Sequence, residues 1–126
     1  MPSNEMEGLQ YVAYCGDITE CRRLISEGAD INGKDNYNGY TALHWSCING
    51  NLELAKLLVE VGADIKATDN QGANALLLCV AFWGDGKSGL RKWLIEIGCD
   101  AQQQDDDGDS AASLFEFICN KNILND

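Results

Sequence analysis

The sequence predicts an all-α repeat fold, in which short helix pairs stack side by side along one domain. Gly-Ala-Asp-Ile at residues 28–31 returns at residues 62–65, a spacing of roughly 33 residues that suits a repeated helix pair. A lone helix pair cannot bury both of its apolar faces, so such units must stack. The only proline is Pro2, so no proline interrupts the helices. Apolar residues recur at the i, i+3, i+4 and i+7 spacing of a helix face in two segments: Leu54, Leu57, Leu58 and Val61, then Leu90, Trp93, Leu94 and Ile97.

The stretch at residues 39–64 indicates how one unit is built. Thr41 is suited to begin a helix, because its hydroxyl can accept one of the N–H groups left unbonded there. His44 stands three residues later, where a capping box places its reciprocal side chain. Asn-Gly-Asn at residues 49–51 separates this helix from the next, and Gly62 suits a left-handed helix end.

The motif Thr41-Ala42-Leu43-His44 resembles the T-P-L-H-x-A signature of the ankyrin-repeat family. Ala42 takes the place of the proline, and Ser46 takes that of the first alanine. The resemblance covers nearly the whole chain and is strongest at residues 39–66. It implies a single ankyrin-repeat domain over residues 1–126, an α-solenoid of helix-turn-helix units with short β-hairpin-like loops.

The resemblance divides this domain into four units, of which the first two follow the pattern well. Residues 1–33 form an N-terminal capping repeat. Its second helix carries Glu20, Arg23 and Glu27 where the next unit has apolar residues, and polar side chains suit a face with no preceding neighbour. Residues 34–66 form a full repeat, which opens with a hairpin rich in turn-forming residues.

The last two units depart from the pattern. Residues 67–102 form a repeat with an insertion between its helices, in a segment whose glycines predict a mobile loop. Asn74-Ala75-Leu76-Leu77 replaces the threonine–histidine motif there, so we expect the lock between those two side chains to be missing. Residues 103–126 form a truncated C-terminal capping repeat. Ser110-Ala111-Ala112-Ser113 stands in for the motif, residues 111–118 form the first helix, and the second is short or absent.

The charge of the chain narrows the classes of partner. The formal net charge is −11, which argues against nucleic acid, whose binding calls for a basic footprint. It also disfavours anionic membranes. From Glu96 onward the acidic residues far outnumber the single basic one, Lys121. Such an imbalance would steer a protein partner with a basic surface. The alternative is that these charges simply solvate a C-terminal cap.

No export or membrane signal is evident in the sequence. The apolar runs are far shorter than the roughly 20 residues of a membrane span, and the first residues lack the basic and apolar regions of a signal peptide. We therefore expect a cytoplasmic protein, with the nucleus as a second location. The 6 cysteines form no Cys-x-x-Cys pair, and we expect reduced thiols that pack as small apolar groups.

Three segments resemble chemical sites, and each fails a requirement. Gly86-Lys87-Ser88 lacks the glycine that a P-loop carries five positions earlier. The acidic run at residues 105–109 lacks acidic residues at both ends of a calcium loop, so a turn before a helix is favoured over weak cation binding. His44, the only histidine, has no motif partner for a catalytic triad. We therefore expect no catalytic residue, no metal site, no cofactor and no enzyme activity.

In ankyrin proteins the hairpin tips and the first helices line a concave face that usually binds partners. Tyr11, Trp45 and Leu78 hold the same place in successive units and are expected to form a stripe on that face. The alternative is that Tyr11 and Trp45 pack between neighbouring helices, since aromatic residues serve both roles. Transferred position by position, the resemblance implies these partner-binding residues: Tyr11, Tyr14, Tyr37, Tyr40, Trp45, Ile48, Asn49, Leu78 and Phe82.

Asn32 occupies the asparagine position of the Gly-Ala-Asp-Val-Asn ending of a repeat. In the ankyrin family this asparagine can be hydroxylated by an oxygen-dependent asparaginyl hydroxylase. The resemblance therefore implies a modification site at Asn32, and the alternative is a turn asparagine. The equivalent residue in the next unit is Lys66, which cannot be such a site.

The resemblance implies a monomeric, non-catalytic protein–protein interaction module that acts as an adaptor or regulator through its concave face. Two narrower versions follow from the acidic four-unit layout. The four-unit layout and acidic charge are similar to those of myotrophin, which regulates actin-capping protein. The number of units is also similar to that of the small ankyrin inhibitors of cyclin-dependent kinases. A further hypothesis is an enzyme, or the regulatory subunit of an enzyme that contributes a site residue in trans. Another is a purely structural, self-associating unit.

Overall fold

The computed structural model describes residues 8–125, with side chains described up to residue 120. Over that range it contains seven helices and no strand. The predicted all-α repeat fold is confirmed, as three helix pairs followed by one long helix. In chain order the helices are α1 (Leu9–Cys15), α2 (Ile18–Ser26), α3 (Ala42–Ile48), α4 (Leu52–Glu60), α5 (Ala75–Trp83), α6 (Ser88–Glu96) and α7 (Ala111–Asn125).

The first helices of the units, α1, α3, α5 and α7, form a row in which each contacts the next. The second helices α2, α4 and α6 each pack on the first helix of their own unit. Leu54 and Leu58 of α4 are fully buried in a cluster with residues of the first unit. Leu90 and Leu94 of α6 are buried with residues of the second unit in the same way. Each unit therefore covers the apolar face of the unit before it.

A capping box begins α3 and also ties this helix to the next unit. The Thr41 hydroxyl accepts from the N–H of His44 at 3.2 Å, and His44 Nδ1 accepts from the N–H of Thr41 at 3.0 Å. Because Nδ1 is an acceptor, the ring proton lies on Nε2, which donates to the carbonyl of Ala67 at 2.9 Å. Thr41 and His44 are both buried, so the motif has the structural role that the sequence indicates.

In the third unit Asn74 supplies what the threonine–histidine pair supplies in the second. Its Oδ1 accepts from the N–H of Leu77 at 2.9 Å and caps α5. Its Nδ2 donates to the carbonyl of Asp100 at 2.9 Å and reaches the following turn. The lock that we expected to be missing is therefore present in another form, because one amide both accepts and donates. At the start of α7, the hydroxyl of Ser113 accepts from the N–H of Ser110 at 3.0 Å, and the hydroxyl of Ser110 accepts from the N–H of Ser113 at 3.1 Å.

Three turns, at residues 35–40, 69–73 and 105–109, lead from one unit to the next. Each turn is closed by a backbone hydrogen bond of 2.8 to 2.9 Å between its two ends. Successive turns are also joined to each other: the N–H of Asn70 in the second turn donates to the carbonyl of Asn38 in the first at 2.8 Å. The third turn donates to the second in the same way at 2.9 Å. The turns therefore form a continuous hydrogen-bonded edge along the stack.

The two ends of the stack differ. On the outer face of α2, Arg23 forms ion pairs with Glu20 and, at 2.6 Å, with Glu27. These side chains are largely exposed, and pairs of this kind add little stability. At the other end, α7 runs to Asn125 and not only to residue 118 as predicted. No glycine or proline follows Gly108 to end it, and no second helix of the fourth unit is found in the described residues.

The insertion lengthens α5, which has 9 residues where α3 has 7. The indole N–H of Trp83 at the end of α5 donates to the carbonyl of Ile48 at 2.9 Å. Lys87 lies over the Trp83 ring, with its Nζ 4.8 Å from the ring centroid. The start of the inserted segment is thus fixed to the second unit. The mobility of its glycines stays a prediction.

Stability should fall as the pH is lowered from about 7 to about 5, because of His44. Burial lowers the pKa of this imidazole below its usual value, and a proton on Nδ1 would abolish the bond from Thr41. The unfolded chain takes up a proton near pH 6.5 and the native state resists it, so the native state loses stability below that pH. One proton limits the slope to about 1.4 kcal/mol per pH unit.

Urea unfolding at several pH values in that window measures the slope. His44→Gln provides the comparison, since the chain has only 1 histidine. The variant should be less stable than the wild type at neutral pH, and its stability should vary less between about pH 7 and pH 5. An equal slope in both proteins would show that His44 is not the group responsible.

Candidate functional site

Aromatic side chains cluster where α1 and α3 meet. The Trp45 ring lies edge-on between Tyr14, at a centroid distance of 4.9 Å, and Tyr40, at 5.0 Å. Tyr11 extends the cluster, 6.3 Å from Tyr14. Such tilted and edge-to-face pairs are favourable contacts in folded proteins. These half-buried rings pack on their neighbours, as the second interpretation of Tyr11 and Trp45 expects, and the binding of a partner by these residues stays a prediction.

Asp35 explains why Trp45 is held in place. Its Oδ1 accepts from several backbone N–H groups of the first turn, among them those of Asn38 and Gly39 at 3.0 and 3.1 Å. Its Oδ2 accepts from the indole N–H of Trp45 at 2.9 Å. Asp35 is only 6% exposed, so both oxygens need these donors. Trp45 thereby stabilises the turn, a role that the stripe argument missed.

The same aspartate recurs in the next two turns with a different outcome. Asp69 Oδ1 accepts from the N–H groups of Gln71 and Ala73, both at 2.9 Å. Asp105 Oδ1 does the same in the third turn. Leu78 and Leu114 take the position of Trp45 in the next two units. A leucine side chain has no hydrogen-bond donor, so it cannot replace the indole N–H. Among the described residues, nothing donates to Oδ2 of Asp69 or Asp105. The recurrence of aspartate after each unit is the signal that could have revealed these positions.

These two carboxylates open onto a cavity, which we call the hairpin recess. Its volume is about 260 Å³. Tyr40 stands at one side of it and Phe82, 55% exposed, at another. Burial raises the pKa of the Tyr40 phenol, and the carboxylates of Asp69 and Asp35 raise it further. The recess therefore combines aromatic surface with negative charge. It is lined by Tyr40, Asp69, Gln71, Ala73, Leu77, Leu78, Ala81, Phe82, Asp105, Asp109 and Leu114.

Three of the predicted partner-binding residues make their contacts within this chain. Leu78 is only 5% exposed and belongs to the core, so the expected stripe does not continue on the surface of the third unit. Asn49 donates from Nδ2 to the carbonyls of Ala13 and Tyr14 at 3.0 and 2.8 Å. Ile48 packs partly against the core. Sequence spacing alone did not reveal the contacts that these residues make within the chain.

The other predicted residues lie at the surface. Tyr14, Tyr37 and Phe82 are 47%, 44% and 55% exposed, and Tyr40 is half-buried. Of the predicted residues, Tyr40, Leu78 and Phe82 meet at the hairpin recess, whereas Tyr14 lies in the aromatic cluster with Trp45. Binding of a partner by these residues stays a prediction.

Asn32 joins the first unit to the second. Its Oδ1 accepts from the N–H of Asp64 at 2.7 Å, and its Nδ2 donates to the carbonyl of Gly62 at 3.2 Å. The side chain is exposed, but both of its polar atoms are engaged across the repeat boundary. This geometry supports the interpretation as a turn asparagine, and hydroxylation of Asn32 stays a prediction.

The segments that resemble chemical sites have structural roles in the described residues. Carboxylate oxygens of Asp105, Asp107 and Asp109 lie within 4.8 Å of one another, but Asp105 Oδ1 already accepts the N–H groups of the other two at 2.9 Å. This acidic turn has the same construction as the Asp69 turn. Lys87 precedes α6 with a φ of 51° and lies over Trp83, so it does not continue a phosphate-binding loop.

Four of the six cysteines are poorly suited to act as nucleophiles. All six are free thiols, and four of them are buried. Burial raises the pKa of Cys21, Cys79 and Cys99 to about 11 and that of Cys47 well above its usual value. These four thiols therefore stay protonated at neutral pH and unreactive, and they pack as small apolar groups. No helix in the described part of the chain combines the length and apolar character needed to cross a membrane.

Comparison with known proteins identifies the repeat. The family model described as ankyrin repeats (3 copies) matches residues 9–105. Ankyrin repeat domain-containing protein 40 of Mus musculus is 34% identical over 54% of this chain, and the match spans 19% of that protein. The mitochondrial disaggregase of Homo sapiens is 39% identical over 55% of this chain and 10% of its own length.

A shorter match is closer in sequence. Notch-regulated ankyrin repeat-containing protein A of Danio rerio is 60% identical over 38 residues, which are 30% of this chain and 34% of that protein. The chain therefore spans about a third or less of the length of each of these relatives.

Trp45→Phe should lower the free energy of unfolding by about 1–3 kcal/mol, since it removes the donor to a buried carboxylate and keeps an aromatic ring. Trp93→Phe is the matched control, because the Trp93 indole N–H donates no hydrogen bond to the residues that the structure describes. Urea unfolding of both variants measures the difference. Equal losses in the two variants would mean that the Asp35–Trp45 bond does not stabilise the fold.

Proposed function

We propose, from the premise that the chain belongs to the ankyrin-repeat family, that it is a non-catalytic adaptor or regulator that binds a protein segment in the hairpin recess. Ankyrin repeats are generally protein–protein interaction modules. The more specific claim rests on one observation. The hairpin recess is lined by Asp69 and Asp105, whose Oδ2 atoms accept no hydrogen bond from the residues that the structure describes, and by the exposed ring of Phe82.

The chemistry of the recess favours a basic side chain flanked by an apolar one. The Oδ2 atoms of Asp69 and Asp105, which have no donor among the described residues, would accept from a guanidinium or ammonium group. Such charge-assisted hydrogen bonds are among the stronger ones. Phe82 and Tyr40 provide the flat surface on which an arginine or an apolar side chain packs. The net charge of −11 would draw such a segment toward the chain.

Several narrower statements belong to the same proposal. A regulator of actin-capping protein similar to myotrophin is the second candidate, favoured by the acidic charge and the four-unit layout. A relative of the cyclin-dependent kinase inhibitors and the regulatory subunit of an enzyme are further versions. In each of them the chain acts as a monomer in the cytoplasm or the nucleus. The first two versions contribute binding and no chemistry, whereas the regulatory subunit of an enzyme contributes a site residue in trans.

Selection from a displayed library of disordered peptide segments tests the proposal. The selected peptides should carry arginine or lysine next to an apolar residue. Phe82→Ala should weaken their binding at least about tenfold, because a half-exposed aromatic anchor is lost. Asp69→Asn with Asp105→Asn should also weaken it, since the amides keep the Oδ1 acceptors of the turns but remove the charge.

Phe117→Ala is the matched control, because this side chain is 62% exposed and lies outside the recess. It should leave peptide affinity within about twofold of the wild type, as expected for a residue without contact. Peptide binding that survives Phe82→Ala, or a failure to select any peptide, would contradict the proposal.

A further inference from the structure

A second cavity lies between α6 and α7, and we call it the terminal groove. Its volume is about 280 Å³, and most of its lining is apolar. It shares no residue with the hairpin recess. Ile95 on its α6 side is 49% exposed. The groove is lined by Leu76, Val80, Arg91, Ile95, Ala101, Ala111, Ala112, Phe115 and Glu116.

The position of the terminal groove shows what kind of element would fill it. Leu76 and Val80 of the third unit correspond to Leu43 and Cys47 of the second, and Ile95 corresponds to Val59. Leu43, Cys47, Leu76 and Val80 are all at most 1% exposed. The difference lies in the third position, because Val59 packs against its core cluster whereas Ile95 is 49% exposed. The side chains that complete this earlier cluster include Leu90 and Leu94 of α6, and α6 is a second helix. The described fourth unit has no second helix, so the equivalent space at the end of the stack is open.

We propose that the terminal groove binds an amphipathic helix of a partner protein, in the place of the missing second helix of the fourth unit. The fold itself provides the pattern for this helix. Leu54 and Leu58 of α4, and Leu90 and Leu94 of α6, are both leucine pairs at i and i+4, and all four are at most 2% exposed. The partner helix therefore carries two leucine-sized side chains at that spacing.

Charge complementarity makes the polar face of the partner helix basic. Glu116 lines the groove, and Glu96 and Asp100 are exposed at and after the end of α6. The cation in the lining, Arg91, is already engaged, because its guanidinium lies over the Phe115 ring at 4.3 Å. Lysine or arginine on the flank of the docked helix would meet these carboxylates.

A second copy of the chain is a poor occupant for two reasons. Two copies, each with a formal charge of −11, repel each other at low salt. In a head-to-tail stack, the outer face of α2 would also enter the groove. That face carries the ion-paired Glu20, Arg23 and Glu27, and burying these charges against Ile95 and Phe115 would be costly.

A synthetic helix with a sequence based on α4 provides the probe. It has the sequence of residues 51–63 with Glu53→Lys and Glu60→Lys, and a side-chain staple on its polar face holds it helical, since a free peptide of this length is marginally helical. Fluorescence anisotropy should show saturable binding to the full chain. The same peptide with Leu54→Asn and Leu58→Asn should bind at least about tenfold more weakly, because both apolar contacts are lost.

Substitutions in the chain locate the binding site. Ile95→Asn should weaken binding of the probe about tenfold or more, since it removes exposed apolar surface from the groove without changing charge. Phe117→Asn is the matched control on α7, and Phe82→Ala is the control for the recess. Neither should change the affinity more than about twofold. Ile95→Asn should likewise leave the peptides of the hairpin recess bound, so the two proposals fail independently.

Three results would overturn the inference. One is the absence of saturable binding of the probe, and another is an equal loss of affinity in Ile95→Asn and Phe117→Asn. The third is a concentration-dependent dimer of the wild type in light scattering that Ile95→Asn abolishes, because a second copy would then occupy the groove.

Discussion

The structure depends on one constraint: a short helix pair cannot cover its own apolar surface and needs a neighbour to do so. Leu54 and Leu58 fill the space offered by the first unit, and Leu90 and Leu94 fill that offered by the second. At either end of a stack, no further unit covers the outer face of the last helix pair. That face must then be polar, or another molecule must cover it. The first unit takes the former course, with a charged outer face on α2. The last unit leaves the terminal groove open.

The row of turns shows how stability and binding compete for the same atoms. In the first turn, both oxygens of Asp35 accept from this chain, the second of them from the Trp45 indole. In the next two turns leucine replaces tryptophan, and no donor among the described residues reaches the corresponding oxygens of Asp69 and Asp105. Both of these residues line the hairpin recess. Where the helix carries tryptophan, its indole N–H donates to the aspartate of the turn. Where it carries leucine, a donor from a partner could take that place.

Much of the fold could be predicted from the sequence, because it follows from local spacing. The apolar pattern of α4 and α6, the Thr41–His44 capping box and the charged face of α2 all depend on residues within one unit. The features of the fold that the sequence did not predict depend on hydrogen bonds between different units. Asn74 takes the place of the threonine–histidine lock by donating to the carbonyl of Asp100, and Asn49 donates to two carbonyls of α1.

The candidate site was predicted less well for the same reason. A tryptophan at a repeat position suggests an exposed anchor for a partner. The sequence alone does not show that its indole N–H donates to Asp35, ten residues earlier in the chain. Leu78 holds the equivalent position, but it is buried in the core of the third unit. The helix α7 was longer than expected, because residues after Ile118 contain no glycine or proline to end it.

Native-state hydrogen exchange tests most directly whether each unit depends on its neighbours. Helices α3, α4 and α5 have neighbouring units on both sides, so their amides should exchange only through global unfolding. Helix α7 has a neighbouring unit on one side only, so its amides should exchange through a partial opening of lower free energy. Protection of α7 equal to that of α5 would contradict the account, because the last helix would then be stable without a unit to cover it.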